Sequence, residues 1–381
     1  MFSNRHNPLT LPSPPRGEGS SRSLWDVAKR RLMRNRAAVA SLIVLATVTL
    51  LAVFGPFFTG HAYDKVYAEY TRLPASFEAH PAPDRIAPLL DRIGSRLRAK
   101  VIDLKYEGDR VRVTFEGART IDERSLAFFE RSDAFGRPSI LERRDDGKIL
   151  VVEAPIARKR FLFGTDSNGR DLLTRTLIAG RVSLAIGLLA AGVGMLIGVI
   201  YGAVSGYFGG RVDDVMMRIV DIIYALPFIF FVIMLVVFFG RNFVLMFIAV
   251  GAVEWLDMAR IVRGQTLSLR RQEFVQAAEA MGVNHAGILK RHIIPNVLGP
   301  VVVYVTLLVP KVILLESFLS FLGLGVQEPM TSWGVLISDG ARNIQGAAYM
   351  LIFPSLFLVA TLFSLNFIGD GLRDALDPKD R

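Results

Sequence analysis

Arg271-Gln-Glu-Phe-Val-Gln-Ala-Ala-Glu-Ala-Met-Gly-Val-Asn-His-Ala-Gly-Ile-Leu-Lys-Arg-His-Ile-Ile-Pro-Asn296 is the longest polar segment in the second half of the chain, and long apolar runs flank it on both sides. Phe274, Ala278 and Met281 recur at the spacing of one apolar stripe on a short helix. Gly282 interrupts that helix, Asn284 is placed to cap a second one running through Lys290, and Pro295 marks where the second must bend or end. Two short helices joined at a glycine and held between apolar spans form a knob suited to docking.

The flanks decide what kind of chain carries the knob. Hydrophobic residues make up 51% of the 381 residues, too many for an ordinary soluble domain. Ala37–Phe58, Val182–Ser205 and Ile222–Phe239 carry no Asp, Glu, Lys, Arg or His and approach or exceed the roughly 18 to 20 residues that cross a bilayer. Phe243–Ala259 holds Glu254 and Asp257 near its end, Val297–Leu319 holds Lys311 and Glu316, and Ala348–Ile368 is uncharged. Six spans are therefore expected. The fold class is an all-α polytopic membrane protein with a small α+β extracytoplasmic insert.

The formal charge of +10 would suit a nucleic-acid binder, but its distribution argues for a membrane topology instead. Lys29, Arg30, Arg31, Arg34 and Arg36 precede the first span, and Arg260, Arg263, Arg270, Arg271, Lys290 and Arg291 lie between the fourth and fifth. The positive-inside rule puts both groups in the cytoplasm, and six spans make those placements agree, with the N- and C-termini cytoplasmic. No nucleic-acid partner is expected. The chain has no cysteine, so neither disulfides nor thiolate metal sites are available.

Five regions follow. Residues 1–23, rich in Pro, Gly, Ser and Arg, read as a disordered tail rather than a signal peptide. Residues 24–60 form a cytoplasmic lead-in helix and the first span. Residues 61–160 read as a periplasmic insert with helices at Ile86–Leu97 and Ile121–Arg131 and strands at Val111–Phe115 and Ile149–Val152. Residues 161–370 are a five-helix core that includes the cytoplasmic loop 260–296, and residues 371–381 are a cytoplasmic tail. Within the core, Gly194, Gly198, Gly202 and Gly206 recur every fourth residue, a ridge that lets a second helix approach closely. Trp333 suits a membrane-interface anchor.

Several segments together resemble one family. They are Gly164-Thr-Asp with Gly169-Arg-Asp, Gly206-Tyr-Phe-Gly-Gly with Asp213, the central stretch, Phe321-Leu-Gly-Leu-Gly with Ser332-Trp-Gly, and Gly369-Asp-Gly-Leu-Arg-Asp-Ala-Leu-Asp-Pro378. In this order they are similar to a permease subunit of binding-protein-dependent ABC importers, in the dipeptide, oligopeptide and nickel branch, and resemble the second of that branch's two permeases. The resemblance implies a type I ABC importer permease fold in the bacterial inner membrane. It also implies inward movement of peptides or a similar small solute by alternating access. The implied partners are a homologous permease, two ATPase subunits carrying ATP and Mg, a periplasmic solute-binding protein and the lipid bilayer.

The central stretch is similar to the family's cytoplasmic coupling loop, written Glu-Ala-Ala, three residues, Gly, nine residues, Ile-x-Leu-Pro. Gln276, Ala277 and Ala278 take the first places, Gly282 the glycine, His292 the isoleucine place and Pro295 the proline. Gln276 replaces the acid and Ile294 the leucine. The resemblance implies that these residues seat in a groove on an ATPase subunit.

No Gly-x-x-x-x-Gly-Lys-Ser/Thr, His-Glu-x-x-His or Gly-x-Ser-x-Gly occurs, so no P-loop, zinc-protease or hydrolase site is expected in this chain, and no catalytic or metal-ligating residue is assigned. Lys311 and Glu316 are candidates for the translocation path, since an ionisable side chain inside a span faces a water-filled cavity or an oppositely charged partner. Five residues apart, they sit about 140° round the helix and make a poor pair with each other. Lys311 either lines the path or pairs with an acid on another helix or subunit. A stand-alone secondary transporter or channel, and a passive membrane anchor for the insert, are the rival readings.

Overall fold

A computed structural model describes residues 24–240 and 243–376. The expected tail at residues 1–23 and the end of the C-terminal tail, residues 377–381, lie outside the described residues. The chain begins with α1 (Leu24–Arg34) and α2 (Arg36–Phe54), separated by Asn35, whose Oδ1 accepts from the backbone N–H of Ala37 at 3.1 Å and Ala38 at 3.2 Å. That cap satisfies two of the orphan amides at the start of the first span.

The insert follows as β1 (Ala79–His80), α3 (Pro83–Leu97), β2 (Ala99–Glu107), β3 (Arg110–Gly117), the single-turn α4 (Ala127–Glu130), β4 (Ser139–Arg144), β5 (Ile149–Pro155) and β6 (Lys159–Arg160). β2, β3, β5 and β4 form an antiparallel sheet in that order, and β1 pairs with β6. Leu90 of α3, Val113 and Phe115 of β3, Leu150 of β5 and Phe129 are buried together. Of the elements expected here, Ile86–Leu97 and the two strands appear at extended length. The helix expected over Ile121–Arg131 is shorter: a 3-10 turn at Glu123–Leu126 leads into α4. β2 and β4 had no expectation.

The core comprises α5 (Leu172–Phe208), α6 (Gly210–Ala225), α7 (Phe228–Phe239), α8 (Phe243–Leu269), α9 (Glu273–Ala280), α10 (His285–Ile288), α11 (Ile294–Phe321), α12 (Trp333–Arg342) and α13 (Tyr349–Leu376). Four stretches among the described residues are long and apolar enough to cross a membrane as single helices: Arg36–Phe57, Leu172–Phe208, His285–Phe321 and Tyr349–Leu376. The expected third span is not one straight helix: α6 and α7 meet at a 77° bend beside Pro227, where a proline cannot continue the helix. The expected fourth lies in α8, whose Glu254, Asp257, Arg260 and Arg263 make it less apolar than the others. All six segments are thus helical, four of them as unbroken apolar spans.

α5 and α8 lie against each other along the glycine ridge. A Cβ on Gly198 would stand 2.5 Å from Met258 Cβ, one on Gly202 2.9 Å from Val262 Cβ, and one on Gly206 2.7 Å from the Arg263 carbonyl oxygen. Gly194 is looser, 3.5 Å from the Glu254 carbonyl carbon. Ile186 of α5, Val309 and Ile313 of α11, and Trp333 and Leu336 of α12 fill the centre.

Trp333 corrects an expectation. It is wholly buried, not placed as a membrane-interface anchor: its indole Nε1 donates to the Thr176 carbonyl at 3.0 Å, and its backbone N–H donates to Ser183 Oγ at 3.2 Å. A Cβ on Gly334 would stand within contact-breaking distance of Ser317 Cα, so the Ser-Trp-Gly turn is pressed directly onto α11.

Candidate functional site

The knob is built as follows. Val275 and Ala278 form the buried face of α9, together with Ile288 and Ile293. Phe274 and Met281, expected to share the buried stripe, are 43% and 77% exposed and point outward. The helix ends on Gly282 at φ +78, where the N–H of Gly282 donates to Glu279 O at 3.0 Å and that of Val283 to Ala278 O at 3.1 Å. This paired closure needs a left-handed residue, which glycine adopts without penalty. Asn284 Oδ1 accepts from Gly287 N–H at 2.7 Å and starts α10, as its position predicts.

The second helix does not end at Pro295. A wide π turn over Leu289–Ile293 carries α10 directly into α11, with Pro295 in that helix's first turn, where its missing N–H is harmless. His292 lies in the π turn, its ring 6.4 Å from that of Phe274. Gln276 and Ala277 are exposed beside buried Ala278, and Gln276 Nε2 donates to the Arg271 carbonyl at 3.4 Å.

A residue outside the loop adds a polar fastening to this apolar packing. Tyr207, in the last turn of α5, is buried; its hydroxyl donates to Glu279 Oε1 of α9 at 3.1 Å and lies 2.9 Å from His285 Nδ1 of α10. Nearby, Arg263 of α8 grips Asp213 of α6 with two parallel bonds of 2.6 Å each, a bidentate geometry that holds the turn after α5. The Gly206-Tyr-Phe-Gly-Gly motif thereby connects α5, α6, α8 and both knob helices. Its reach to Glu279 and His285 carried no signal in the sequence.

At the other end of α5, Asp171 caps the helix by accepting from Thr174 N–H at 2.7 Å. Asp166 accepts from the N–H groups of Asn168 and Arg170 at 2.9 and 2.8 Å and from Arg170 Nε at 2.7 Å; Arg170 Nη2 then reaches Glu328 at 2.7 Å. The Arg170 guanidinium holds the Glu328 carboxyl below the usual carboxylate range. Thr165 bonds the insert through the Tyr70 carbonyl and the Leu73 amide. The Gly-Thr-Asp motif is a clamp between insert, α5 and the loop before α12.

The two path candidates part company. Lys311 Nζ donates to Glu254 at 2.9 Å and to Asp257 at 3.2 Å, both on α8, and its side chain is 52% exposed. It lines a cavity of about 750 Å³ whose wall includes Tyr224, Pro227, Phe228, Leu314 and Phe318. The partner acids of the pairing alternative are thus on α8, and the same lysine borders this cavity. Glu316 is sealed inside instead, accepting from Ser332 Oγ at 2.6 Å and Ser320 Oγ at 2.7 Å, with Ser183 Oγ 3.5 Å away. It is absent from the cavity wall and serves to tie α11 to α12.

Four long apolar helices, a bent fifth apolar segment, a helix pair closed on glycines and a capped knob make this an integral, multi-pass membrane protein. Residues 194–381 match the family of binding-protein-dependent transport system inner membrane components, and residues 23–75 match the N-terminal TM domain of oligopeptide transport permease C. The chain is 46% identical over 364 residues to the oligopeptide transport system permease protein OppC of Escherichia coli (strain K12), covering 96% of this chain and 94% of that one. It is 44% identical over 360 residues to OppC of Haemophilus influenzae, covering 94% and 90%. It is also 47% identical over 220 residues to the dipeptide transport system permease protein DppC of Bacillus subtilis (strain 168), covering 58% and 69%. The chain belongs to this family of ABC importer permeases, in its oligopeptide and dipeptide branch, and is a transport subunit rather than an enzyme.

Proposed function

We propose that this chain is one of two homologous permeases of a peptide importer. It pairs with a second permease, two ATPase subunits that hold ATP and Mg, and a solute-binding protein on the outer side, and it moves peptides inward by alternating access. Both termini and the knob lie in the cytoplasm. The family relationship favours this assembly over a stand-alone transporter or a passive anchor. The observation that carries the coupling role is the orientation of the knob: Val275 and Ala278 are buried toward the core, while Phe274 and Met281 are presented outward. Exposed large apolar side chains on a projecting, rigidly capped element are what a partner groove would bury.

The absence of native cysteine makes the test direct. A Met281→Cys variant, co-expressed with ATPase subunits carrying single cysteines around their groove, is expected to cross-link to them in membranes. Reproducible failure of any such pair, with the complex intact by gentle purification, would refute the docking face. Purification without any P-loop ATPase would refute the importer assembly itself.

A further inference from the structure

The ion triad on the cavity wall has more acid than base. Glu254 and Asp257 lie one turn apart on α8, and Lys311 from α11 inserts its ammonium between them. Glu254 is almost fully buried, with its side chain 4% exposed, whereas Asp257 is 29% and Lys311 52% exposed. The three formal charges leave a net of minus one facing a cavity whose other lining residues, Tyr224, Pro227, Phe228, Leu314 and Phe318 among them, carry no charge. A cavity of about 750 Å³ is of the size that encloses small ligands, and an apolar wall with a few convergent charges is the usual composition of such a site.

We propose that this cavity is a peptide-binding subsite in which Lys311 acts as a tethered stand-in for the substrate's ammonium group. The proposal rests on the importer reading and deepens it. With no peptide present, the Lys311 amine satisfies both carboxylates, as an intramembrane acid pair requires. An arriving peptide ammonium competes for the more accessible Asp257. Lys311 keeps Glu254. The apolar wall takes side chains without reading their identity. When the peptide leaves, the lysine returns to Asp257, so the acids are never left unpaired. The path is thereby selective for amine-bearing solutes while retaining none of them.

The two sides of the triad then have opposite effects on affinity, which a merely structural ion pair cannot produce. The test uses the full complex of both permeases and ATPases in detergent or nanodiscs, without binding protein, and equilibrium dialysis with labelled trialanine and N-acetyl-trialanine. Asp257→Asn keeps the Glu254–Lys311 pair and is expected to weaken trialanine binding about tenfold, the worth of one charge-assisted hydrogen bond, with little effect on the acetylated peptide. The double variant Lys311→Met with Glu254→Gln preserves the net charge while removing the competitor, and is expected to bind trialanine at least as tightly as wild type. Equal weakening of both peptides by Asp257→Asn, weaker binding by the double variant, or no trialanine binding by the wild-type complex would overturn the proposal. Failure of the importer reading is separate: it appears as wild-type complex without ATP-dependent uptake in proteoliposomes.

Discussion

Removing one oxygen atom from Tyr207 should loosen the knob from the helix it is fixed to. The ring is 2% exposed and packed against Phe208 and His285, so Tyr207→Phe keeps the packing and deletes only the hydroxyl. That hydroxyl makes two contacts, 3.1 Å to the Glu279 carboxylate and 2.9 Å to His285 Nδ1. A hydrogen bond to a charged group contributes about 1.5 to 3 kcal/mol and a neutral one about 1. Glu279 and His285 are both exposed, so water replaces most of what they lose. The net cost is then about 1 kcal/mol, or roughly a fivefold rise in the population of knobs detached from α5. Hydrogen exchange over residues 273–288 should speed up by about that factor, with α5 and α8 unchanged. In reconstituted complexes, ATP hydrolysed per peptide transported should rise while ATPase association is kept. Unchanged exchange and an unchanged ratio would refute the assignment of Tyr207 as the fastener.

Three other perturbations have signs set by the geometry. Gly202→Val drives a side chain into the α8 backbone at Ala259 and into Val262; overpacking of about 1 to 3 kcal/mol should lower the thermal stability of the purified complex, and unchanged stability would mean the ridge is not tight. Gly282→Val has open space around it but forces a branched residue to φ +78, so a cost of about 1 to 2 kcal/mol should appear as local fraying of α9 in exchange experiments, without a change in overall fold. Glu328, whose carboxyl is depressed by Arg170, should stabilise the Asp166–Arg170–Glu328 clamp fully above the ordinary glutamate value of about 4.3, and that contribution should fade as pH falls through its lower folded value; protease sensitivity of the loop before α12 should rise in acid, and Glu328→Gln should remove the pH response.

Much of this architecture is legible in the chain because membrane burial and glycine geometry leave strong signals. Six apolar segments, the ridge at every fourth residue and the Gly282 turn all follow from rules that hold residue by residue. What was hidden is relational. β2 and β4 are edge strands whose side chains are largely exposed, so they show little alternation to read. Trp333 looked like an interface anchor because residue type alone does not reveal that Thr176 and Ser183 wait for its two N–H groups. The π turn needs one extra residue in a helix, which leaves no compositional mark before Pro295. Lys311 announced a partner but not which one; Glu254 and Asp257 stand more than fifty residues earlier, brought close by the packing of α8 beside α11.

The arrangement also offers a way for the knob to act on the triad. α5 holds 37 residues, roughly 55 Å at 1.5 Å each, well beyond the bilayer core of about 30 Å, and it is fastened at both ends. Its N-terminal end is locked by Asp171 and the Asp166–Arg170–Glu328 chain, and its C-terminal end by Tyr207. The glycine ridge makes α8 one body with α5, so Glu254 and Asp257 ride on that pair. Lys311 rides on α11, which is continuous with α10 through the π turn. α9 follows α8 in the chain and α10 leads into α11, so motion of α10 relative to Tyr207 is expected to move Lys311 relative to its acids. Cross-linking across the cavity should block that motion: cysteines at Val253 of α8 and Leu314 of α11, both on the cavity wall, joined by a short bifunctional reagent, should stop peptide uptake while leaving ATPase association intact. Full uptake in the cross-linked complex would show that α8 and α11 do not need to move apart, and the link from knob to triad would fall.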